Sequence, residues 1–140
     1  MSTIVTRSGK GSPLTHAEVD ANFTGLNTDK AGYITGEGGT VAQSTSKATA
    51  VTLNKKCGQI TMNAASLAAA TTVTFSMTNS TIAATDLLVL NHTGGGTAGS
   101  YLLNARCGAG SVSINVRNIT AGALAEAIVI GFAVVKAVIA

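Results

Sequence analysis

The chain has 140 residues, of which 46% are hydrophobic, 11% charged and 4% aromatic, and its formal net charge is +3. This length suits one compact domain, and the charged fraction is far below the roughly 25% of an average soluble domain. Lysine and arginine are scattered and not interleaved with aromatic residues, which argues against nucleic-acid binding. No signal peptide is visible, and no apolar run is long enough for a transmembrane helix. We therefore expect no nucleic-acid and no membrane partner.

The first thirty residues differ in composition from the rest, because they hold the only proline and half of the carboxylates. Residues 1–12 predict an extended arm that glycines interrupt. Pro13 then biases the residue before it away from helical geometry. Thr15 followed three residues later by Glu18 forms a capping box, which predicts the start of a helix. We expect this helix to fade by about Asp29.

The predicted helix has a narrow apolar side. Val19, Phe23 and Leu26 follow one another at i, i+4 and i+7, and Leu14 with Val19 occupies the positions of a hydrophobic staple. A helix of about three turns is marginal in water. It therefore needs a surface to pack on, which its own domain, a sister chain or a larger partner could supply.

A glycine-rich linker over residues 31–39 separates this segment from a second region with a different pattern. We expect residues 1–35 to form the arm and helix, and residues 36–140 to form a β-domain. The fold class is predicted to be mainly β: a β-sandwich or jelly-roll-like domain of about eight short strands, preceded by the arm and the short helix. Residues 63–70 predict one helical turn or a tight connection. The predicted strands are 40–44, 49–53, 57–62, 72–78, 85–92, 101–106, 111–117 and 127–138.

The last predicted strand is apolar on both faces. One face holds Ile128, Ile130, Phe132 and Val134, and the other holds smaller residues such as Gly131. A strand of this kind is buried on both sides, either in the middle of its own sheet or against sister chains. The small residues favour the second explanation, because they allow close packing. We therefore predict a homo-oligomer whose interface contains Ile128, Ile130, Phe132 and Val134.

Residues that could support catalysis or bind a metal are few and dispersed. His16 and His92 are far apart and have no carboxylate at metal-ligand spacing. No pair of carboxylates forms an acid/base dyad, and no serine lies in a nucleophile elbow. Cys57 and Cys107 do not form a CxxC motif, and the sequence leaves open whether they pair. We expect no enzyme, no catalytic residue, no metal and no cofactor.

Four Asn-x-Thr triplets fit the sequon for N-glycosylation. They begin at Asn22, Asn79, Asn91 and Asn118. Because no secretion signal accompanies them, we interpret them as products of a composition rich in asparagine and threonine.

The segment SPLTHAEVDANFTGLNTDK, residues 12–30, resembles a recurrent N-terminal motif of tailed-bacteriophage virion proteins. In that group KGSPLT precedes a helix with spaced Glu, Asp and Asn-Phe residues and opens tail fibres, spikes and small head-attached proteins. Gly25 stands where the group often has a polar residue. The chain from Gly39 onwards is similar to a β-domain of small phage structural proteins. The resemblance implies a virion component that residues 16–26 hold to the particle, with a β-domain displayed outward, commonly as a trimer.

Under this resemblance, Leu14, Val19, Phe23 and Leu26 are the expected particle-anchoring residues. The leading expectation is a capsid decoration (cement) protein that binds the major capsid protein lattice, located in virions that assemble in the host cytoplasm. The alternative is a tail fibre or tail-associated protein, bound to a tail adaptor and carrying a receptor-facing β knob. The absence of shaft repeats favours decoration. A sugar-binding β-sandwich is a weaker third possibility, because the chain has two tyrosines and no tryptophan.

Overall fold

A computed structural model describes residues 4–28 and 36–137, with the side chains of residues 26–28 excepted. Within these ranges two short helices precede eight strands. The helices are α1 (Arg7–Lys10) and α2 (His16–Thr28). The strands are β1 (Gly38–Ala42), β2 (Val51–Thr52), β3 (Cys57–Thr61), β4 (Thr72–Thr78), β5 (Leu87–Gly94), β6 (Tyr101–Gly108), β7 (Ser111–Asn118) and β8 (Val129–Val135).

The eight strands form two four-stranded sheets that pack as a sandwich. The first sheet has the order β1-β3-β8-β5 and the second the order β2-β4-β7-β6. The pairs β1–β3 and β2–β4 are parallel, and the other pairs are antiparallel. The predicted fold class, a mainly β sandwich of about eight short strands with an N-terminal helix, is confirmed.

The core lies between the two sheets, and the alternation of side chains along the strands builds it. In β7, Val112, Ile114 and Val116 are buried, as their strict spacing predicts. In β4, Phe75 and Met77 are buried opposite them. The same alternation in the first sheet contributes the remaining buried apolar residues of the core, namely Ile60, Met62, Ile128, Ile130, Phe132 and Val134, with Val51 and Ile82 beside them.

Two buried asparagines fix the turns that follow β4 and β7. The Asn118 side chain is 0% exposed; its amide donates hydrogen bonds to the carbonyl oxygens of Leu67, Ala68 and Gly122 at 2.8–3.2 Å. Its oxygen accepts from the backbone N–H and the hydroxyl of Thr120. Asn79 repeats the pattern with Thr81 and is also 0% exposed. These two Asn-x-Thr triplets are therefore structural turn motifs, a role that composition does not account for.

Three predicted segments differ from the structure in detail. The arm is not extended throughout, because Thr6 caps the single turn α1 and Gly11, in the left-handed conformation at φ 72°, ends it. Residues 63–70 form no helix, and Leu67 pairs instead as an isolated bridge with Leu124. The last strand ends at Val135 and not at 138; residues 138–140 lie outside the described part.

Strand β5 is an edge of the first sheet, and its apolar residues divide between the two faces. Leu88 and Leu90 point towards the second sheet and are half-buried. Leu87 and Val89 point outward and are 61% and 55% exposed. This stretch is apolar on both faces, and its outer face is exposed in the described structure.

Candidate functional site

The start of α2 has the capping box that the sequence predicts. The backbone N–H of Thr15 donates to the Glu18 carboxylate at 2.8 Å, and the N–H of Glu18 donates to the Thr15 hydroxyl at 3.3 Å. These reciprocal bonds satisfy two donors that the first turn of a helix leaves unpaired. The helix therefore begins at His16 for a local reason that needs no tertiary contact.

An ion pair joins α1 to the first turn of α2. The Lys10 ammonium lies 2.5 Å from the Glu18 carboxylate. The hydrogen bond from Lys10, together with those from Thr15, lowers the pKa of Glu18 from 4.5 to about 2. Glu18 is thus ionised throughout the physiological range, close to the positive end of the helix dipole. Because the pair is solvated, it contributes little to stability.

The arm is also bonded to the middle of α2. The N–H of Val5 donates to the side-chain oxygen of Asn22 at 2.9 Å, and the amide of Asn22 donates to the Val5 carbonyl at 2.8 Å. The side-chain amide of Asn22 therefore forms the same two hydrogen bonds with Val5 that a backbone peptide group would form. Sequence reasoning missed this contact. The position of Asn22 in the middle of the predicted helix was the sequence signal for it, because such a side chain tends to form hydrogen bonds with backbone groups.

The four predicted anchoring residues differ in exposure. Leu14 and Val19 are half-buried, whereas the Phe23 side chain is 68% exposed. Leu26 belongs to α2, but its side chain lies outside the described part. An i, i+4 spacing places Val19 and Phe23 on one side of the helix. The structure thus leaves an aromatic ring of the predicted anchor largely in solvent.

The four predicted interface residues lie inside the sandwich of a single chain. Ile128 and Ile130 are 0% exposed, Phe132 5% and Val134 4%, because they face the second sheet. Strand β8 lies between β3 and β5, and this central position explains why both of its faces are apolar. The burial that suggested a subunit interface is therefore accounted for within one chain.

A polar cluster that sequence reasoning missed surrounds Glu126. Thr97 donates to this carboxylate from its N–H at 3.0 Å and from its hydroxyl at 2.6 Å, and the Tyr101 hydroxyl donates at 2.8 Å. The bonds from Thr97 lower the pKa of Glu126. Burial, followed by the neighbouring carboxylate, raises the pKa of Tyr101. The cluster holds the β5–β6 loop against the segment before β8.

An open cleft of about 360 Å³ lies beside this cluster, between β5 and β6. His92 lines it and contacts Tyr101 edge to face, with 5.8 Å between the ring centroids. The His92 Nε2 lies 3.0 and 2.6 Å from the carbonyl oxygens of Gly94 and Gly95. Both partners are carbonyl acceptors, so the ring contacts the turn that follows β5 through Nε2 as donor.

Lys47 is a buried lysine that the sequence gave no reason to single out. Its side chain is 4% exposed, and its ammonium donates to the carbonyl oxygens of Asn63 at 2.7 Å and Glu126 at 2.5 Å. Burial lowers the pKa of Lys47, and the nearby Glu126 carboxylate opposes this shift. The lysine thereby connects its own loop to the segment of Glu126, which lies 79 residues further along the chain.

Metal binding and a membrane-spanning helix have no support in the described residues. Within residues 4–28 and 36–137, no group of three His, Cys, Asp or Glu side chains could hold a metal ion. In the same residues, no helix has the length and apolar character needed to cross a membrane. Cys57 and Cys107 form no disulfide, and burial raises the pKa of the Cys107 thiol.

Comparison of the chain with protein-family models, with curated proteins and with solved structures found no match.

Proposed function

We propose that this chain is a non-enzymatic capsid decoration protein of a tailed bacteriophage. It binds the major capsid protein lattice through α2, assembles with sister chains, as a trimer, and reinforces the head. It resides in the virion, which assembles in the host cytoplasm. The observation that carries the proposal is the exposed Phe23 ring within the phage-like motif of residues 12–30.

The exposure of Phe23 supports docking because it is costly in the isolated chain. A phenylalanine that is 68% exposed leaves most of its apolar surface in water, and burying such a side chain contributes roughly 1.5–3 kcal/mol. A groove on a larger partner can supply that burial. Aromatic side chains that enter a pocket at the centre of an interface are typical binding hot spots.

The local contacts of α2 support the same proposal, because they order the helix before it docks. Thr15 and Glu18 close its first turn, and Asn22 holds the arm at Val5. A segment ordered in advance loses less conformational entropy on binding. The anchor is thus a prepared helix that presents Phe23.

The sandwich supports a mechanical role. Its turns are pinned by the buried Asn79 and Asn118, and its loops by the buried Lys47. Each of these polar groups is hydrogen-bonded to backbone carbonyls far along the chain. A domain of this kind resists local opening, because opening it leaves several buried polar groups unpaired at once.

Binding of full-length variants to purified capsids tests the proposal. Phe23→Asp places a charge in the proposed contact and is expected to weaken co-sedimentation with capsids at least about tenfold. Thr24→Asp adds the same charge at the next exposed position, on a different side of the helix, and is expected to bind as the wild type does. Deletion of residues 1–30 is expected to abolish binding. Wild-type binding by Phe23→Asp would contradict the anchor.

The alternative, a tail fibre or tail-associated protein, uses the same anchor on a tail adaptor. The observation that favours it is the exposure of two apolar residues of the sandwich, Leu102 at 58% and Ile119 at 54%, which a receptor could contact. The copy number per virion separates the two functions. Hundreds of copies, measured by quantitative mass spectrometry of purified particles, indicate the head. A few dozen or fewer indicate the tail.

A further inference from the structure

The outer face of the first sheet carries a connected apolar patch. In the register of the sheet Leu87 pairs with Val135, and Val89 pairs with Ala133. Leu87, Val89 and Val135 are 61%, 55% and 46% exposed. We call these four residues the outer patch. Apolar side chains that adjoin across two strands form a continuous surface, unlike the scattered single residues that are normal on a monomer.

The face around the outer patch has no charge. Within the described strands of the first sheet, every outward position holds an uncharged residue. These positions are Gly38, Thr40 and Ala42 in β1, Cys57, Gln59 and Thr61 in β3, Leu87, Val89, Asn91 and Thr93 in β5, and Val129, Gly131, Ala133 and Val135 in β8. Two ion pairs lie next to the ends of these strands: Lys136 with Asp86 at 2.6 Å and Lys56 with Glu37 at 4.0 Å.

The middle of this face is built from small residues. A Cβ atom on Gly131 would lie 2.6 Å from the Thr93 methyl group, so Thr93 already covers the glycine and leaves room for nothing larger. Ala133, the next outward residue on β8, is also small. The Thr93 side chain and the small Ala133 therefore form the middle of the face, and Leu87, Val89 and Val135 project beside them.

We infer that the outer face of the first sheet, centred on the outer patch, is where sister copies of this chain meet. The distribution of charge over the outer faces of the two sheets is the reason for choosing a sister copy as the partner. When identical chains surround a rotation axis, the same face of each copy points to that axis, and a charge close to the axis lies near the like charge of each copy, which is unfavourable. The first sheet avoids this cost. The second sheet does not, because Arg106 and Arg117 are exposed on its outer face.

This inference rests on the part of the proposed function that requires an assembly of sister chains, and it replaces the inward residues of β8 as the contact. It does not depend on which particle the chain binds. The mass of the full-length chain in solution, without particles, therefore tests it separately from capsid binding.

Sedimentation-velocity ultracentrifugation of the full chain is the experiment. The wild type is expected at two or three times its 13.9 kDa monomer mass at micromolar concentrations. Val89→Lys buries a charge in the contact and is expected to weaken association at least about a hundredfold, giving monomers. Leu102→Lys is the matched control, because Leu102 is equally exposed, at 58% against 55% for Val89, on the other sheet. It is expected to keep the wild-type mass.

Folding is checked by thermal melting followed by circular dichroism, since a charge at an exposed position leaves the core intact. Val89→Thr provides a second, nearly isosteric variant and is expected to weaken association roughly threefold to tenfold. A wild type that stays monomeric to about 100 μM overturns the inference. So does a folded Val89→Lys variant with the wild-type mass, or equal dissociation by Leu102→Lys.

Discussion

The helical segment, residues 4–28, and the β-sandwich, residues 36–137, are stabilised in different ways. In the sandwich two apolar layers exclude water, and buried polar groups such as Asn118 are fully hydrogen-bonded. In the helical segment the defining contacts are exposed, like the pair Lys10–Glu18, and Phe23 stays in solvent. The sandwich is therefore stabilised by contacts within itself, whereas the helix gains most stability when another surface covers Phe23.

The largest expected effect is in the core of the sandwich. Ile130→Ala removes buried methyl groups from a side chain that is 0% exposed and leaves a cavity, so we expect a loss of about 2–5 kcal/mol in the free energy of unfolding. Ile119→Ala is the control, because Ile119 is 54% exposed, and is expected to change stability by less than about 0.5 kcal/mol. Urea denaturation measures both. Equal effects would contradict the placement of the core.

The next effect concerns the buried turn after β7. Asn118→Ala removes the amide hydrogen bonds to the carbonyl oxygens of Leu67 and Gly122 and the acceptor for the N–H and hydroxyl of Thr120, and we expect a loss of about 2–3 kcal/mol in the free energy of unfolding. Asn115 lies on the outer face of the same strand, and its side chain forms hydrogen bonds with the side chains of Thr74 and Asn104. Asn115→Ala is expected to cost about 1 kcal/mol or less, and a larger loss than that of Asn118→Ala would refute the role of the turn.

A smaller effect is expected in the helical segment. Thr15→Ala removes the N-cap of α2 and is expected to destabilise the helix by about 1 kcal/mol, seen as a loss of helical ¹³Cα shifts over residues 16–22 in NMR spectra. The melting temperature of the sandwich should not change. Thr24→Ala, in the helix interior, keeps the cap and serves as the control. A drop in the sandwich melting temperature with Thr15→Ala would show that the two regions are not independent.

The smallest effect is the pH dependence of the same cap. Because the pKa of Glu18 is lowered from 4.5 to about 2, its contribution is complete above the unfolded value and is lost as the pH falls towards 2. The helical shifts of residues 16–22 should therefore decline between about pH 4.5 and 2. Added salt should weaken the Lys10 contact, and Lys10→Met should raise the pKa of Glu18. An unchanged pKa in Lys10→Met would contradict the ion pair.

Short-range patterns in the sequence predicted much of this molecule. The capping box at Thr15 and Glu18 depends on residues three apart, and the alternation in β4 and β7 depends on residues two apart, so both are visible without a fold. The two-layer β architecture follows from that alternation. The anchoring role of Leu14, Val19, Phe23 and Leu26 stays a prediction, because it concerns a partner.

Contacts between distant residues could not be predicted. Lys47 reaches Glu126 across 79 residues, and Asn118 reaches Leu67 across 51; no local pattern marks either pair. The apolar character of β8 had two physical explanations, and only the order of strands in the sheet shows that a central position suffices. Predicting the interface from Ile128, Ile130, Phe132 and Val134 required knowing which face the second sheet covers.

The most direct test of the central claim compares the two regions in one measurement. Hydrogen–deuterium exchange of the full chain, free and bound to capsids, reports on the helix and on every strand at once. We predict that binding slows exchange over residues 14–28, with no comparable change in β4 and β7. Protection confined to the strands, with α2 exchanging as in the free chain, would contradict the account.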